Sequence, residues 1–131
     1  MRHRPPTHVL CVSSEAEDHQ ALSRILNEPR WHISVASTCQ DAIARLTWDR
    51  IAVGVCENNL ADGTWRDLLR RFEQYAEPLT LIVASKLADE RLWADVLNLG
   101  GYDVLAKPFD DLEVRRVLNS AMDRFQHQAH G

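Results

Sequence analysis

The chain has 131 residues, 45% of them hydrophobic and 26% charged, which suits one domain able to bury a core without disulfide or metal staples. That composition excludes wholesale disorder and fibrous repeats, and no apolar run approaches the roughly 18–20 residues needed to cross a bilayer. The net charge of −4, with acidic and basic residues interspersed, offers neither a nucleic acid nor an anionic membrane an electrostatic foothold.

The basic start Met1-Arg2-His3-Arg4-Pro5-Pro6 leads into a strand-like run, not a signal-peptide core, so the expected location is cytoplasmic. His8–Ser13 reads as the first strand. Ser14-Glu15-Ala16-Glu17 is a capping-box pattern with Ser14 as N-cap. It opens a helix with a Leu22, Ile25, Leu26 stripe that stops at Asn27-Glu28-Pro29. Trp31–Ala36 follows as a strand, then Thr38 as the N-cap of a short helix carrying Ile43 and Leu46. Ile51–Cys56 is almost continuously apolar, as in a strand covered on both faces. Trp65, Leu68, Leu69 and Phe72 repeat with helical spacing. Arg66, Arg70 and Arg71 share that helix with Asp67 and Glu73, which predicts a solvated outer face. Leu79–Ser85 is the fourth strand. Leu92, Val96 and Leu99 mark a helix closed by Gly100-Gly101, with Trp93 on the shoulder of its stripe. Val104–Ala106 is the fifth strand, and Asp110-Asp111 opens a last helix carrying Val114, Val117, Leu118, Ala121, Met122 and Phe125. Gln126–Gly131 reads as a frayed tail, and His127 and His130 in it as solvated.

Strands alternating with helices across short loops imply an α/β fold: a doubly wound five-stranded parallel sheet with two helices on one face and three on the other. No linker or internal repeat divides residues 1–131, and the core is expected over about residues 7–125. Cys11, Cys39 and Cys56 are odd in number and widely spaced, so they read as reduced, small buried hydrophobes.

Sheets of this kind bind ligands at the carboxyl ends of their strands. Those ends carry Ser13-Ser14-Glu15, Glu57-Asn58-Asn59-Leu60-Ala61-Asp62-Gly63, Ser85, and Lys107-Pro108-Phe109. The first turn has no glycine to admit a pyrophosphate, which argues against a dinucleotide enzyme. P-loop, nucleophile-elbow and H-E-x-x-H motifs are missing too. Ser13 and Ser14 have no base in sequence reach that would make them nucleophiles.

The segments Ser85-Lys86-Leu87-Ala88-Asp89-Glu90 and Leu99-Gly100-Gly101-Tyr102-Asp103-Val104-Leu105-Ala106-Lys107-Pro108-Phe109, with the loop Glu57–Gly63, resemble the receiver domain of two-component response regulators (CheY-like). The resemblance implies a flavodoxin-like strand order of 2-1-3-4-5 and a non-enzymatic signalling module. It places Glu57 at the phosphoacceptor position and Ser13 and Ser14 at the acidic pair, followed by Glu15. Ser85, Val104 and Lys107 fall at the switch and phosphate-contact positions. It also implies a protein partner, such as a histidine kinase or an output domain, on the face running from the fourth to the fifth helix.

The departures have physical consequences. Mg²⁺ favours hard carboxylate oxygens, and two neutral serine hydroxyls do not replace two charges, so Mg²⁺ binding is expected to be weak or absent. The Glu57 oxygens reach about 1.5 Å further than those of an aspartate, and in-line transfer tolerates little displacement. The expectation is an atypical, phosphorylation-independent receiver in which Glu57 pairs with Lys107, with Ser85 bonding the same carboxylate. The alternatives are a working phosphoacceptor with Glu15 or Asp62 as substitute metal ligand, and a small ligand-binding protein of flavodoxin-like fold, which would show a large apolar pocket at the sheet's carboxyl edge.

Overall fold

A computed structural model of the chain describes residues 6–48, 50–74 and 79–130. The basic start before Pro6 lies outside these residues, as do the side chains of residues 125–130, among them Phe125, His127 and His130.

The strands are β1 (Thr7–Val12), β2 (Trp31–Ala36), β3 (Val53–Glu57), β4 (Asn59–Leu60), β5 (Gly63–Thr64), β6 (Thr80–Ser85) and β7 (Asp103–Ala106). The helices are α1 (Ala16–Ile25), α2 (Cys39–Trp48), α3 (Trp65–Phe72), α4 (Glu90–Asn98) and α5 (Asp111–His130). Five strands form one sheet in the order β2-β1-β3-β6-β7, every neighbouring pair parallel. Counted without the two-residue strands β4 and β5, this is the expected 2-1-3-4-5. Those two strands form a small antiparallel hairpin inside the loop after β3. The sequence pattern gave no sign of it, because a two-residue strand is too short to display a period.

Alternation along the central strands sends side chains to two cores. Val9, Cys11, Val53, Val55, Ile82 and Ala84 pack with Leu22 and Ile25 of α1 and with Val114, Val117, Leu118 and Ala121 of α5. Leu10, Val12, Cys56, Leu81 and Val83 pack on the other face with Ala42 of α2, Trp65, Leu68 and Phe72 of α3, and Val96 of α4. Two helices therefore cover one face and three the other, and strands buried on both sides need the near-continuous apolar runs seen at β3 and β6. Gly54 of β3 leaves room for a ring: a Cβ there would lie 3.2 Å from Phe72.

The local end signals mostly hold. Thr38 Oγ1 accepts the Asp41 N–H at 3.1 Å and Asp110 accepts the Glu113 N–H at 3.0 Å. Gly100 takes a left-handed φ of 104° after α4. Ser14 does not cap α1. The N-cap is Glu15, whose side chain makes no capping bond, while the Ser14 hydroxyl is drawn away to a carboxylate. At the other end, α5 continues through residues 126–130, where a tail was expected. Cys11, Cys39 and Cys56 are free and buried. Burial and nearby Asp18 push the Cys11 thiol up to about 12. Burial and Asp62 push Cys39 up to about 11, and burial sends Cys56 well above its ordinary range, so none is poised as a thiolate.

Candidate functional site

Three strand ends and the start of α1 meet at the carboxyl edge of the sheet. β1 delivers Ser13 and Ser14, β3 delivers Glu57, and β7 delivers Lys107, whose backbone N–H bonds the Ser85 carbonyl at 3.0 Å across the end of β6. The Lys107–Pro108 peptide bond is cis.

Lys107 is the centre of the arrangement. Its side chain is 4% exposed, and its Nζ lies 2.7 Å from Asp18 Oδ2, 3.4 Å from Glu57 Oε1 and 3.5 Å from Glu15 Oε2. An ammonium has three N–H donors, and here each faces a different carboxylate. Glu57 and Lys107 do approach one another, but the short contact goes to Asp18.

Asp18 escaped the sequence reading. It is buried in the first turn of α1, and Ser13 Oγ donates to its Oδ2 at 2.6 Å. A signal was there: the stripe Leu22, Ile25 and Leu26, extended one turn back, lands on Asp18. A carboxylate on the core-facing stripe of a helix needs a buried partner.

Glu57 is held from the β1 side. Its Oε2 accepts from the Ser14 N–H at 3.0 Å, the Ser14 hydroxyl at 3.0 Å and, at 3.3 Å, the Ser13 hydroxyl. Burial pushes its carboxyl up, but the Ser14 donors and Lys107 outweigh it, and the group stays below its ordinary value. Burial likewise opposes the Lys107 charge, yet Asp18 first, then Glu57 and Glu15, hold the ammonium above its ordinary value. Both groups are therefore charged at neutral pH.

Ser85 does not join them. Its Oγ accepts the Leu87 N–H at 3.1 Å and so closes the turn after β6, a local bond that needs no long-range partner. Val104 sits on β7 opposite Val83, beneath α4 and away from the carboxylates. Asp62 is also elsewhere. Its two oxygens accept the Cys39 and Gln40 N–H groups at 2.8 and 3.0 Å, capping α2 from the loop after β3, and these bonds hold its carboxyl below its ordinary value. It is thus not placed to serve as the substitute metal ligand considered for it.

Two hollows lie away from this edge. One, of about 560 Å³, is lined by residues of α2, α3 and Asp62. The other, of about 290 Å³, lies over β7 between Trp93 of α4 and Arg116 of α5. Neither is the large apolar pocket at the carboxyl edge that a flavodoxin-like ligand-binding protein would show. Trp93, which lines the second hollow, is half exposed, and Leu87, Leu97, Leu99 and Leu112 are exposed as well, Leu112 by 79%. Among the described residues, no helix is long and apolar enough to cross a membrane.

No family model matches the sequence. The chain is 28% identical over 120 residues to the two-component response regulator ORR3 of Oryza sativa subsp. indica, an alignment spanning 88% of this chain and 90% of that one. It superposes with a TM-score of 0.87 on the signal receiver domain of an HD domain-containing protein from Pseudomonas fluorescens Pf-5. That pair is 23% identical, with 99% of this chain and 96% of the other covered. It also superposes, at a TM-score of 0.80 and 20% identity, on a chain of the CheX–CheY–BeF3–Mg complex from Borrelia burgdorferi, covering 89% of this chain and 90% of that one.

Proposed function

We propose that this chain, a CheY-like receiver domain of the two-component response-regulator family, signals by binding a protein partner and does not accept a phosphoryl group. The observation that carries this reading is the state of Glu57. A carboxylate that attacks phosphorus needs a free oxygen in line with the leaving group. Oε2 of Glu57 already accepts both the N–H and the hydroxyl of Ser14, and Oε1 faces the Lys107 ammonium. These bonds stabilise the ionised carboxylate in place and lower its nucleophilicity. The backbone N–H of Ser14 is fixed by the end of β1, so the arrangement does not depend on a mobile side chain alone.

The partner surface we assign is the face of α4, β7 and α5. There the exposed Trp93 lines a hollow together with Val104 and Ala106, and Leu112 of α5 is exposed as well. Where the family resemblance implies a switch aromatic, Val104 leaves space. An apolar patch bordered by Asp89, Glu90, Glu113 and Arg116 suits a signalling protein better than a nucleic acid or a membrane. A CheY chain is found with CheX in the Borrelia complex, and a protein partner of comparable kind is the expectation for this chain.

The competing reading is a working phosphoacceptor. It draws support from Glu15, Asp18 and Glu57, whose nearest oxygens all lie within 4.8 Å of one another. Mass spectrometry after incubation with acetyl phosphate and Mg²⁺, beside a typical receiver, decides between the two. The expected result is an unchanged mass for this chain while the control gains a phosphoryl group. A phosphoryl adduct on Glu57 overturns the proposal.

A further inference from the structure

The fold family implies Mg²⁺ at this edge of the sheet, and the residues present do not fit it. Mg²⁺ needs a near-octahedral set of available oxygens, and it gives up its water reluctantly. Here five of the six oxygens of Glu15, Asp18 and Glu57 already face a donor or a cation. Asp18 Oδ2 accepts from Ser13 and Lys107, and Glu57 Oε2 accepts from Ser14 and Ser13. Glu57 Oε1 faces Lys107, while the two Glu15 oxygens face Lys86 at 3.7 Å and Lys107 at 3.5 Å. A divalent ion among these carboxylates would also lie within a few ångströms of a buried ammonium, where like charges repel strongly.

We infer that the Lys107 ammonium is the resident cation of this site, anchored by Asp18, and that it excludes a divalent metal. Three features combine to do this. Asp18 projects from the first turn of α1 into the space between β1 and β7, and its short contact draws Nζ into the cluster. Ser13 spans Asp18 and Glu57 with a single hydroxyl, which also accepts the Glu15 N–H at 3.0 Å. Ser14 turns two donors onto Glu57. Donors thus stand where the family's acidic pair would supply acceptors, and this reverses the polarity of the β1 side. The tethered ammonium has a further advantage over a free ion: folding the chain has already positioned it, so no second body is immobilised. This lock is the physical basis proposed for the phosphate-independent behaviour, yet it can fail separately from it.

The test is Mn²⁺ titration followed by electron paramagnetic resonance on wild-type protein and on Lys107→Met. The expected result is no saturable binding by the wild type up to millimolar metal, and saturable binding by the variant, tighter by about tenfold or more. That gain should be lost in Lys107→Met/Glu57→Gln. Saturable binding by the wild type overturns the inference, and so does a folded Lys107→Met that binds no better. Should Lys107→Met not fold, nitrogen-15 spectra of the wild-type lysine ammonium groups decide. A Lys107 signal unmoved by millimolar Mg²⁺ supports the lock, and one displaced by it refutes the lock. Acetyl phosphate separates the two proposals. Wild-type protein that binds metal without gaining a phosphoryl group loses the lock and keeps the proposed function. Protein that gains a phosphoryl group while binding no metal does the reverse.

Discussion

The carboxyl edge of the sheet and the α4–β7–α5 face are neighbours along β7, and they differ in kind. At the edge, the charged groups find one another inside the chain: Lys107 meets three carboxylates, and Glu57 meets Ser13, Ser14 and Lys107. On the face, large apolar groups stand in water, with Trp93 half exposed and Leu112 at 79%. The first region pairs its charges within the chain, and the second leaves apolar surface in contact with solvent. Under the proposed function, a domain built this way would carry information through what its apolar face binds.

The contrast is broken most directly at Lys107. Lys107→Met leaves Asp18 and Glu57 buried without their ammonium, and the expected loss of stability is about 3–5 kcal/mol in urea denaturation. A loss under about 1 kcal/mol would show that water satisfies the carboxylates and that the edge is not sealed.

The next effect sharpens which acid matters. Double-mutant cycles pairing Lys107→Met with Asp18→Asn and with Glu57→Gln should give a coupling of about 2 kcal/mol for Asp18 and under about 1 kcal/mol for Glu57. This ranking follows from separations of 2.7 and 3.4 Å. Stronger coupling to Glu57 would return it to the centre of the site.

A third expectation concerns pH. Glu57 ionises below its ordinary value of 4.5 in the folded chain, so its contribution is complete above that value and fades as pH falls through the lower folded value. Lys107 is raised above 10.5, so its contribution is complete below 10.5 and is lost as pH climbs through the higher folded value. Urea midpoints should therefore plateau between these limits, and Glu57→Gln should flatten the acid limb. An unchanged acid limb in that variant would show that other carboxylates govern it.

The smallest effect belongs to the open face. Trp93→Ala and Leu112→Ser should change stability by no more than about 0.5 kcal/mol, while lowering the binding of a hydrophobic dye. A larger loss would mean that these side chains pack within the fold, and the contrast between the two regions would collapse.

Much of this was legible in the sequence because its causes are local. The apolar runs at Ile51–Cys56 and Leu79–Ser85, the helical spacing of Trp65, Leu68, Leu69 and Phe72, and the glycine after α4 each report a period or a dihedral set by near neighbours. The parallel pairing followed from the alternation of strands and helices, and the strand order from the family resemblance. The site was legible in part. Glu57, Ser13, Ser14, Glu15 and Lys107 were marked by their places at strand ends, and the structure gathers them. It leaves Ser85 and Val104 apart, and it adds Asp18. Ser14 was misread as a cap because its local use competes with a charged acceptor that lies 43 residues away along the chain.

What the sequence determined by itself, then, is which segments become the five main strands and the helices, and which strand-end residues come to the carboxyl edge. Only the tertiary structure decided how those residues pair. Lys107 and Asp18 are separated by 89 residues, and no local pattern reports which of several carboxylates an ammonium will meet. That choice depends on how far α1 is rotated over the sheet and on the ends of β1, β3 and β7 in register. Electrostatic energy between charges changes steeply over an ångström or so in a partly buried site, so it is fixed by packing distances that periodicity does not encode.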